Sequence, residues 1–119
     1  MNKKVFVYGT LKKGGALHGH LENAKFVKEE ELSGFEMFNV GWFPAIVKTD
    51  NKDSKVKGEV YEVDDNLMST LDMVEGYPDL YQKEETEHGF VYFMQNVEKV
   101  KELYPRVKNN DWDVTNKDN

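Results

Sequence analysis

Residues 4–11 read KVFVYGTL, an apolar run that ends at Gly9. The run is mostly apolar in both side-chain directions up to Tyr8, which is typical of a strand buried on both faces. Gly9 predicts the end of this strand, and the polar, glycine-containing residues up to about His20 predict a loop. The chain therefore opens with the central strand of a core rather than with an amphipathic edge.

The following residues continue as short strands. Glycine and proline punctuate β-rich segments over residues 24–49, and residues 50–55 predict a turn. Residues 56–63 alternate apolar and polar side chains, as a half-buried strand does. Two further strands are predicted over residues 81–87 and 90–95. Together these segments favour a mixed, strand-dominated domain.

A helix is predicted between these groups of strands. Either Asp64 or Asp65 can cap its N-terminus, and Gly76 and Pro78 end it. Its apolar residues recur at i, i+4 and i+7 on one face: Leu67, Leu71 and Val74. This face predicts packing against the strands.

The end of the chain predicts a second short helix and a tail. The helix covers residues 97–104 and stops at Pro105. From about residue 107 to residue 119 the chain is polar, and we expect it to be frayed except where Trp112 anchors it. Repeats and interdomain linkers are absent from the sequence, so residues 1–119 predict one domain.

Composition excludes several classes of protein. The 119 residues contain no cysteine, which excludes disulfides, a thiolate nucleophile and Cys-based metal centres. The net charge of −6 opposes nucleic-acid binding, which needs clustered Lys and Arg. No apolar run approaches the roughly 20 residues that span a bilayer, so we expect no membrane partner. The lack of cysteine is compatible with a reducing compartment, and we expect the cytoplasm.

The first candidate site follows the opening strand, at Tyr8-Gly9-Thr10-Leu11. Glycine here allows positive φ and close approach of a ligand to the main chain. Successive amides in such a turn can converge on an anion. The spacing is not that of a phosphate-binding P-loop, because Gly14 is followed by Gly15 and not by Lys. A plain strand-ending turn explains the same residues.

The second candidate is Glu75, in the last turn of the first helix. The helix dipole is negative there, so an anion is disfavoured and its pKa is expected to rise. A carboxylate with a raised pKa can act as a general base near neutral pH. A solvated Glu that tolerates a small dipole penalty is the alternative, and Asp72 one turn earlier weakens the catalytic interpretation.

Other side chains give weaker indications of a functional site. His18 and His20 have no third ligand at a metal-binding spacing, so we expect no metal site. Four aromatic residues can either line a pocket or fill the core: Trp42, Phe43, Tyr81 and Tyr92.

Several stretches in order resemble the gamma-glutamylcyclotransferase-like superfamily, in its small gamma-glutamylamine cyclotransferase-like branch. They are residues 5–12 with Gly14, residues 43–46 and 56–61, residues 71–78 with Tyr81 beyond, and residues 91–92. Together they extend over roughly residues 4–95. Each stretch alone is weak, and the ordered set is specific.

The resemblance implies an α+β fold, a small mixed β-barrel with flanking helices. It implies a cofactor-free reaction in which a small-molecule γ-glutamyl substrate cyclises to 5-oxoproline and releases an amine. The catalytic carboxylate falls at Glu75. The substrate-binding positions fall at Tyr8, Gly9, Thr10, Leu11 and Tyr81.

One position departs from the family pattern. Family members often carry Arg shortly after the position of Tyr81, where this chain has Lys83, which lacks the bidentate fork of Arg. Two alternatives stay open: another γ-glutamyl substrate, and a non-catalytic binding module for a small anionic metabolite on the same fold. The sequence does not define the oligomeric state or the amine that is released.

Overall fold

The computed structural model describes residues 2–115 and 119. Within them the chain forms seven strands, two α-helices and two short 3₁₀ helices. In chain order these are β1 (Lys3–Val7), a 3₁₀ helix (His18–Leu21), β2 (Lys25–Ser33), β3 (Phe35–Asn39), β4 (Pro44–Lys48), β5 (Lys55–Val63), α1 (Asp65–Val74), β6 (Gln82–Thr86), β7 (Gly89–Phe93), α2 (Val97–Leu103) and a 3₁₀ helix (Lys108–Asn110).

The strands form two sheets. The larger has the order β2-β5-β1-β7-β6, and the smaller pairs β3 with β4. β1 is antiparallel to β5 and parallel to β7, whereas the other pairs are antiparallel. The predicted α+β class is confirmed. The strands of the expected small mixed β-barrel do not close into one sheet, because β3 and β4 hydrogen-bond as a separate hairpin. A backbone bond of 2.9 Å from the Met94 N–H to the Ile46 carbonyl links this hairpin to the end of β7.

β1 lies at the centre of the larger sheet, as its apolar run predicts. Val5, Phe6 and Val7 are each at most 3% exposed. Alternate residues point to opposite sides: Phe6 packs into a cluster with Trp112, and Val5 and Val7 pack into a second cluster with Leu71 of α1. Both faces and both edges of β1 are therefore covered by other parts of the chain.

The helices begin where the sequence predicts. Asp64 is the N-cap of α1, and its carboxylate accepts a 2.8 Å hydrogen bond from the Leu67 N–H. Met68 and Leu71 form the buried side of this helix. α2 starts after Asn96, whose side chain makes no capping bond. Among the described residues, no helix is long and apolar enough to cross a bilayer.

The segment after α2 returns to the core. Val107 and Trp112 are buried, and the Val107 N–H donates to the Met37 carbonyl at 2.9 Å. Lys12 holds the segment from the other side, because its ammonium donates to the Trp112 carbonyl at 2.7 Å. The expectation of a frayed tail is therefore wrong at Val107 and Asn110, which are buried as Trp112 is. Residues 116–118 of this tail lie outside the described residues.

Asn110 is a buried polar residue in this segment. Its side-chain oxygen accepts hydrogen bonds from the Met37 N–H at 3.1 Å and from Arg106 at 2.9 Å. Its amide group donates to the Ser54 hydroxyl at 3.2 Å and to the Lys55 carbonyl at 3.1 Å. Every polar atom of the side chain therefore has a partner.

We predict that Asn110→Ala destabilises the fold by about 2–4 kcal/mol, because it removes the hydrogen-bond partner of the buried Met37 N–H of β3 and the bonds to Ser54 and Lys55. Asn109→Ala is the matched control, since both residues have positive φ (58° and 50°) and only the Asn110 side chain is buried. Urea unfolding of both variants measures the difference. Equal losses would assign the effect to the backbone conformation alone.

Candidate active site

A cavity of about 180 Å³ opens where β1 ends. The turn after β1, the turn between β3 and β4, and the C-terminal end of α1 form its walls. Six residues predicted from the sequence line this one cavity: Tyr8, Gly9, Thr10, Leu11, Glu75 and Tyr81. The structure thus brings together two sequence segments more than 60 residues apart. The roles of these residues stay predictions.

The end of α1 positions Glu75. Glu75 is the C-cap residue, and its N–H donates to the Leu71 carbonyl at 2.9 Å. Gly76 follows with a φ of +66°, and the Tyr77 N–H donates back to the Asp72 carbonyl at 2.9 Å. This is a Schellman motif, which favours glycine at the left-handed position. The motif stops the helix at Glu75, beside the cavity.

The Glu75 carboxylate lies in a poorly solvated environment. Burial raises its pKa from 4.5 to about 7. Within residues 2–115 and 119, no hydrogen bond or ion pair to this carboxylate is found. The rise agrees in direction with the sequence prediction, and loss of solvent is its cause. Near neutral pH such a group can both accept and return a proton.

Two tyrosines on the cavity wall have their hydroxyl protons engaged. The Tyr8 hydroxyl donates to the Tyr92 carbonyl at 2.8 Å, and the Tyr81 hydroxyl donates to the Pro44 carbonyl at 3.0 Å. Burial, together with the nearby Glu75 carboxylate, raises the pKa of both tyrosines, so both stay neutral. The two hydroxyls also interact with each other, and the Tyr8 oxygen lies beside the Ile46 backbone. A tyrosine oxygen can accept hydrogen bonds as well as donate one, which suits a ligand that donates hydrogen bonds.

The turn after β1 offers donors. The Lys12 N–H bonds the Gly9 carbonyl at 3.0 Å, and the Leu17 N–H bonds the Thr10 carbonyl at 2.9 Å. In the part of the chain that the structure describes, the amides of Thr10 and Leu11 donate no hydrogen bond. Free amides at a cavity wall can bind an anion, as the sequence suggests.

Close packing explains why glycine occupies position 9. The φ of Gly9 is not among the positive values, so the positive φ that glycine allows is not used here; the close approach of a ligand stays a prediction. Pro44 packs against Gly9: a Cβ atom at Gly9 would lie 2.5 Å from the Pro44 Cγ atom. Glycine lets β4 approach the end of β1.

Lys83 binds a second carboxylate beside the cavity. Its ammonium lies 2.9 and 3.1 Å from the two Asp72 oxygens and 4.7 Å from the centre of the Tyr77 ring. The Tyr92 hydroxyl donates to the same carboxylate at 2.6 Å. Asp72 is therefore fully engaged, whereas Glu75 one turn later is not. The Lys that departs from the family pattern has a defined partner within the protein.

The other residues that the sequence singled out differ in whether they line the cavity. His18 Nδ1 bonds the Leu11 carbonyl at 2.9 Å, and no described group of His, Asp and Glu side chains could hold a metal ion. Of the four aromatic residues with two possible roles, Tyr81 and Tyr92 line the cavity and are also buried. Trp42 lines it while 61% exposed. Leu80, also on the wall, has no motif or periodicity in the sequence that predicts its position.

We predict that Gly9→Ala destabilises the protein by roughly 1–3 kcal/mol, because the new methyl group overpacks against Pro44. Gly19→Ala is the control, since a Cβ there meets no described atom within 4 Å. Thermal unfolding compares the two. Equal stability of both variants would contradict the close packing of Gly9.

We also predict a pH-dependent gain of stability in Glu75→Gln. The folded-state pKa of about 7 lies above the ordinary 4.5, so ionisation of Glu75 opposes folding. The penalty is absent below pH 4.5, grows up to about pH 7 and then stays constant, reaching roughly 3 kcal/mol. Chemical unfolding of wild type and variant from pH 4.5 to 8 measures it, and a constant stability difference would contradict the shielded carboxylate.

Known proteins resemble the chain in both sequence and fold. The family described as gamma-glutamyl cyclotransferase, AIG2-like, matches residues 5–114. Gamma-glutamylaminecyclotransferase A of Danio rerio is 32% identical over 107 residues, which cover 74% of this chain and 66% of that protein. The chain thus spans about two-thirds of the length of this curated relative.

Solved structures of other proteins have a fold similar to that of this chain. An AIG2-like protein from Mus musculus superimposes with a TM-score of 0.76 and 25% identity, covering 94% of this chain and 88% of that one. An uncharacterised protein from Pyrococcus horikoshii gives a TM-score of 0.69 and 30% identity, covering 92% and 88%. With this fold, and with a family match over nearly its whole length, the chain belongs to the AIG2-like gamma-glutamyl cyclotransferase family and is an enzyme of that type.

Proposed function

We propose that the cavity binds a γ-glutamyl amine and that Glu75 transfers protons while the substrate cyclises. The observation that carries the proposal is the Glu75 carboxyl itself, which has a pKa of about 7 and no partner among the described residues. A purely structural carboxylate in such a place would be expected to have a cation or donor beside it.

The substrate supplies its own nucleophile. Glu75 takes a proton from the α-ammonium, and the free amine attacks the γ-carbonyl carbon. A new C–N bond closes the five-membered ring, and the original amide C–N bond breaks. Two protons move in all from the α-nitrogen to the leaving nitrogen, each by way of Glu75. The products are 5-oxoproline and a protonated amine, so atoms and charge balance.

The neighbouring residues suit the two ends of the glutamyl group. The α-ammonium donates hydrogen bonds, and the oxygens of Tyr8 and Tyr81 can accept them. The free amides of Thr10 and Leu11 can hold the α-carboxylate or the developing oxyanion, and one well-aimed donor to an oxyanion is worth roughly 3–4 kcal/mol. These hydrogen bonds also hold the α-amine close to the γ-carbonyl carbon, which lowers the entropic barrier to ring closure.

We predict that Glu75→Gln lowers turnover at least about 10²-fold, because the amide cannot exchange protons. Mass spectrometry of 5-oxoproline measures release from γ-glutamyl amines, γ-glutamyl amino acids and glutathione. Wild-type kcat/KM should rise with pH through about 7 as Glu75 ionises. This rise should be missing in the variant.

Glu102→Gln is the control, since it removes an exposed carboxylate near the end of α2, away from the cavity. Turnover of Glu75→Gln close to that of this control would remove Glu75 from the mechanism. Folded wild-type protein that binds the compounds without releasing 5-oxoproline would instead indicate a binding module for a small anionic metabolite.

A further inference from the structure

The mouth of the cavity carries an apolar rim, formed by Trp42, Phe43 and Leu80. Trp42 is 61% exposed and Leu80 is 55% exposed, so large apolar surfaces of both face solvent. The rings of Trp42 and Phe43 pack edge to face with their centres 5.1 Å apart. Exposed side chains of this size beside a cavity are typical of a binding surface.

Hydrogen-bonded turns hold the rim in place. In the turn between β3 and β4, the Val40 N–H donates to the Phe43 carbonyl at 3.0 Å, and the Gly41 N–H donates to the Asn39 side chain at 2.8 Å. On the opposite side, the Leu80 N–H donates to the Gly76 carbonyl at 2.7 Å. The rim is therefore organised before any ligand arrives, which reduces the entropic cost of binding.

The cavity offers no charge to a ligand apart from Glu75. No other charged side chain is among the described residues that line it. The two nearby lysines are engaged within the protein: Lys12 with the Trp112 carbonyl at 2.7 Å, and Lys83 with both oxygens of Asp72. A charged group placed against the three apolar side chains of the rim would form no ion pair with them, whereas an apolar group would gain contact.

The apolar rim bears on the leaving amine, which is the part of the γ-glutamyl amide that is released. Glu75 lies on the cavity wall, whereas the rim lies at the mouth of the cavity. The charged glutamyl group needs hydrogen-bond donors and acceptors, which the turn after β1 and the buried tyrosines supply. We infer that the rim binds the leaving amine, and that this amine carries an uncharged aliphatic or aromatic side group rather than an amino-acid group. This inference rests on the proposed function and names the substrate class that the proposed function leaves open.

A set of γ-glutamyl amides tests the inference. The compounds are the methylamide, the isopentylamide and the phenethylamide of the γ-carboxyl group, and the adduct with the ε-amine of lysine. We expect kcat/KM for the isopentylamide and the phenethylamide to exceed that for the lysine adduct by about tenfold or more. The apolar side groups gain contact with the rim, whereas the charged amino-acid group of lysine finds no partner there. Equal or faster release from the lysine adduct would overturn the inference and leave the proposed function standing. No release from any compound would overturn both.

Two variants test the rim directly. Trp42→Ala should lower the preference for the phenethylamide over the methylamide by about fivefold or more, because the lost ring contacts only the larger group. Leu103→Ala is the control, since Leu103 is 55% exposed on α2 and does not line the cavity. We expect it to leave the preference unchanged. An unchanged preference in Trp42→Ala would overturn the assignment of the rim.

Discussion

The pairing of β1 on both edges is the constraint on which the rest of the site depends. β1 is antiparallel to β5 and parallel to β7, and its residues Val5–Val7 are buried on both faces. A shift of one residue would turn every side chain to the opposite face, so the register is strongly specified. The end of the strand is thereby fixed in space, and the Tyr8 hydroxyl bonds the Tyr92 carbonyl of β7.

Pro44 joins the two halves of the cavity. Its ring packs against Gly9 at the end of β1, and its carbonyl accepts the hydroxyl proton of Tyr81. The start of β4 is thus in contact with both segments that the sequence predicts to be functional.

Near the end of α1, two carboxylates one helical turn apart have opposite environments. Asp72 is bound by Lys83 and Tyr92, whereas Glu75 has no such partner among the residues that the structure describes, and its pKa rises through burial. Such a division leaves Glu75 free to exchange protons.

The elements with strong local patterns could be predicted from the sequence. The buried run before Gly9 predicts β1, and the Asp64 cap with Gly76 at the other end predicts α1 within one or two residues. The sequence did not show that the strands of the small mixed β-barrel divide into two sheets, because strand pairing between distant segments leaves no local trace. The contact of Gly9 with Pro44 could not be predicted for a related cause: Pro44 is 35 residues away, and no pattern near Gly9 indicates it.

The sequence by itself determined the chemistry that is possible: no cysteine nucleophile, a glycine turn after a buried strand, and a carboxylate at a helix end. These are properties of residue type and local spacing, which depend on neighbours a few positions away. Only the tertiary structure decided that Glu75 is shielded from water, that Lys83 neutralises Asp72 and that Trp42 is exposed at the mouth of the cavity. Burial and charge pairing depend on which distant segments meet, and the packing around β1 decides that.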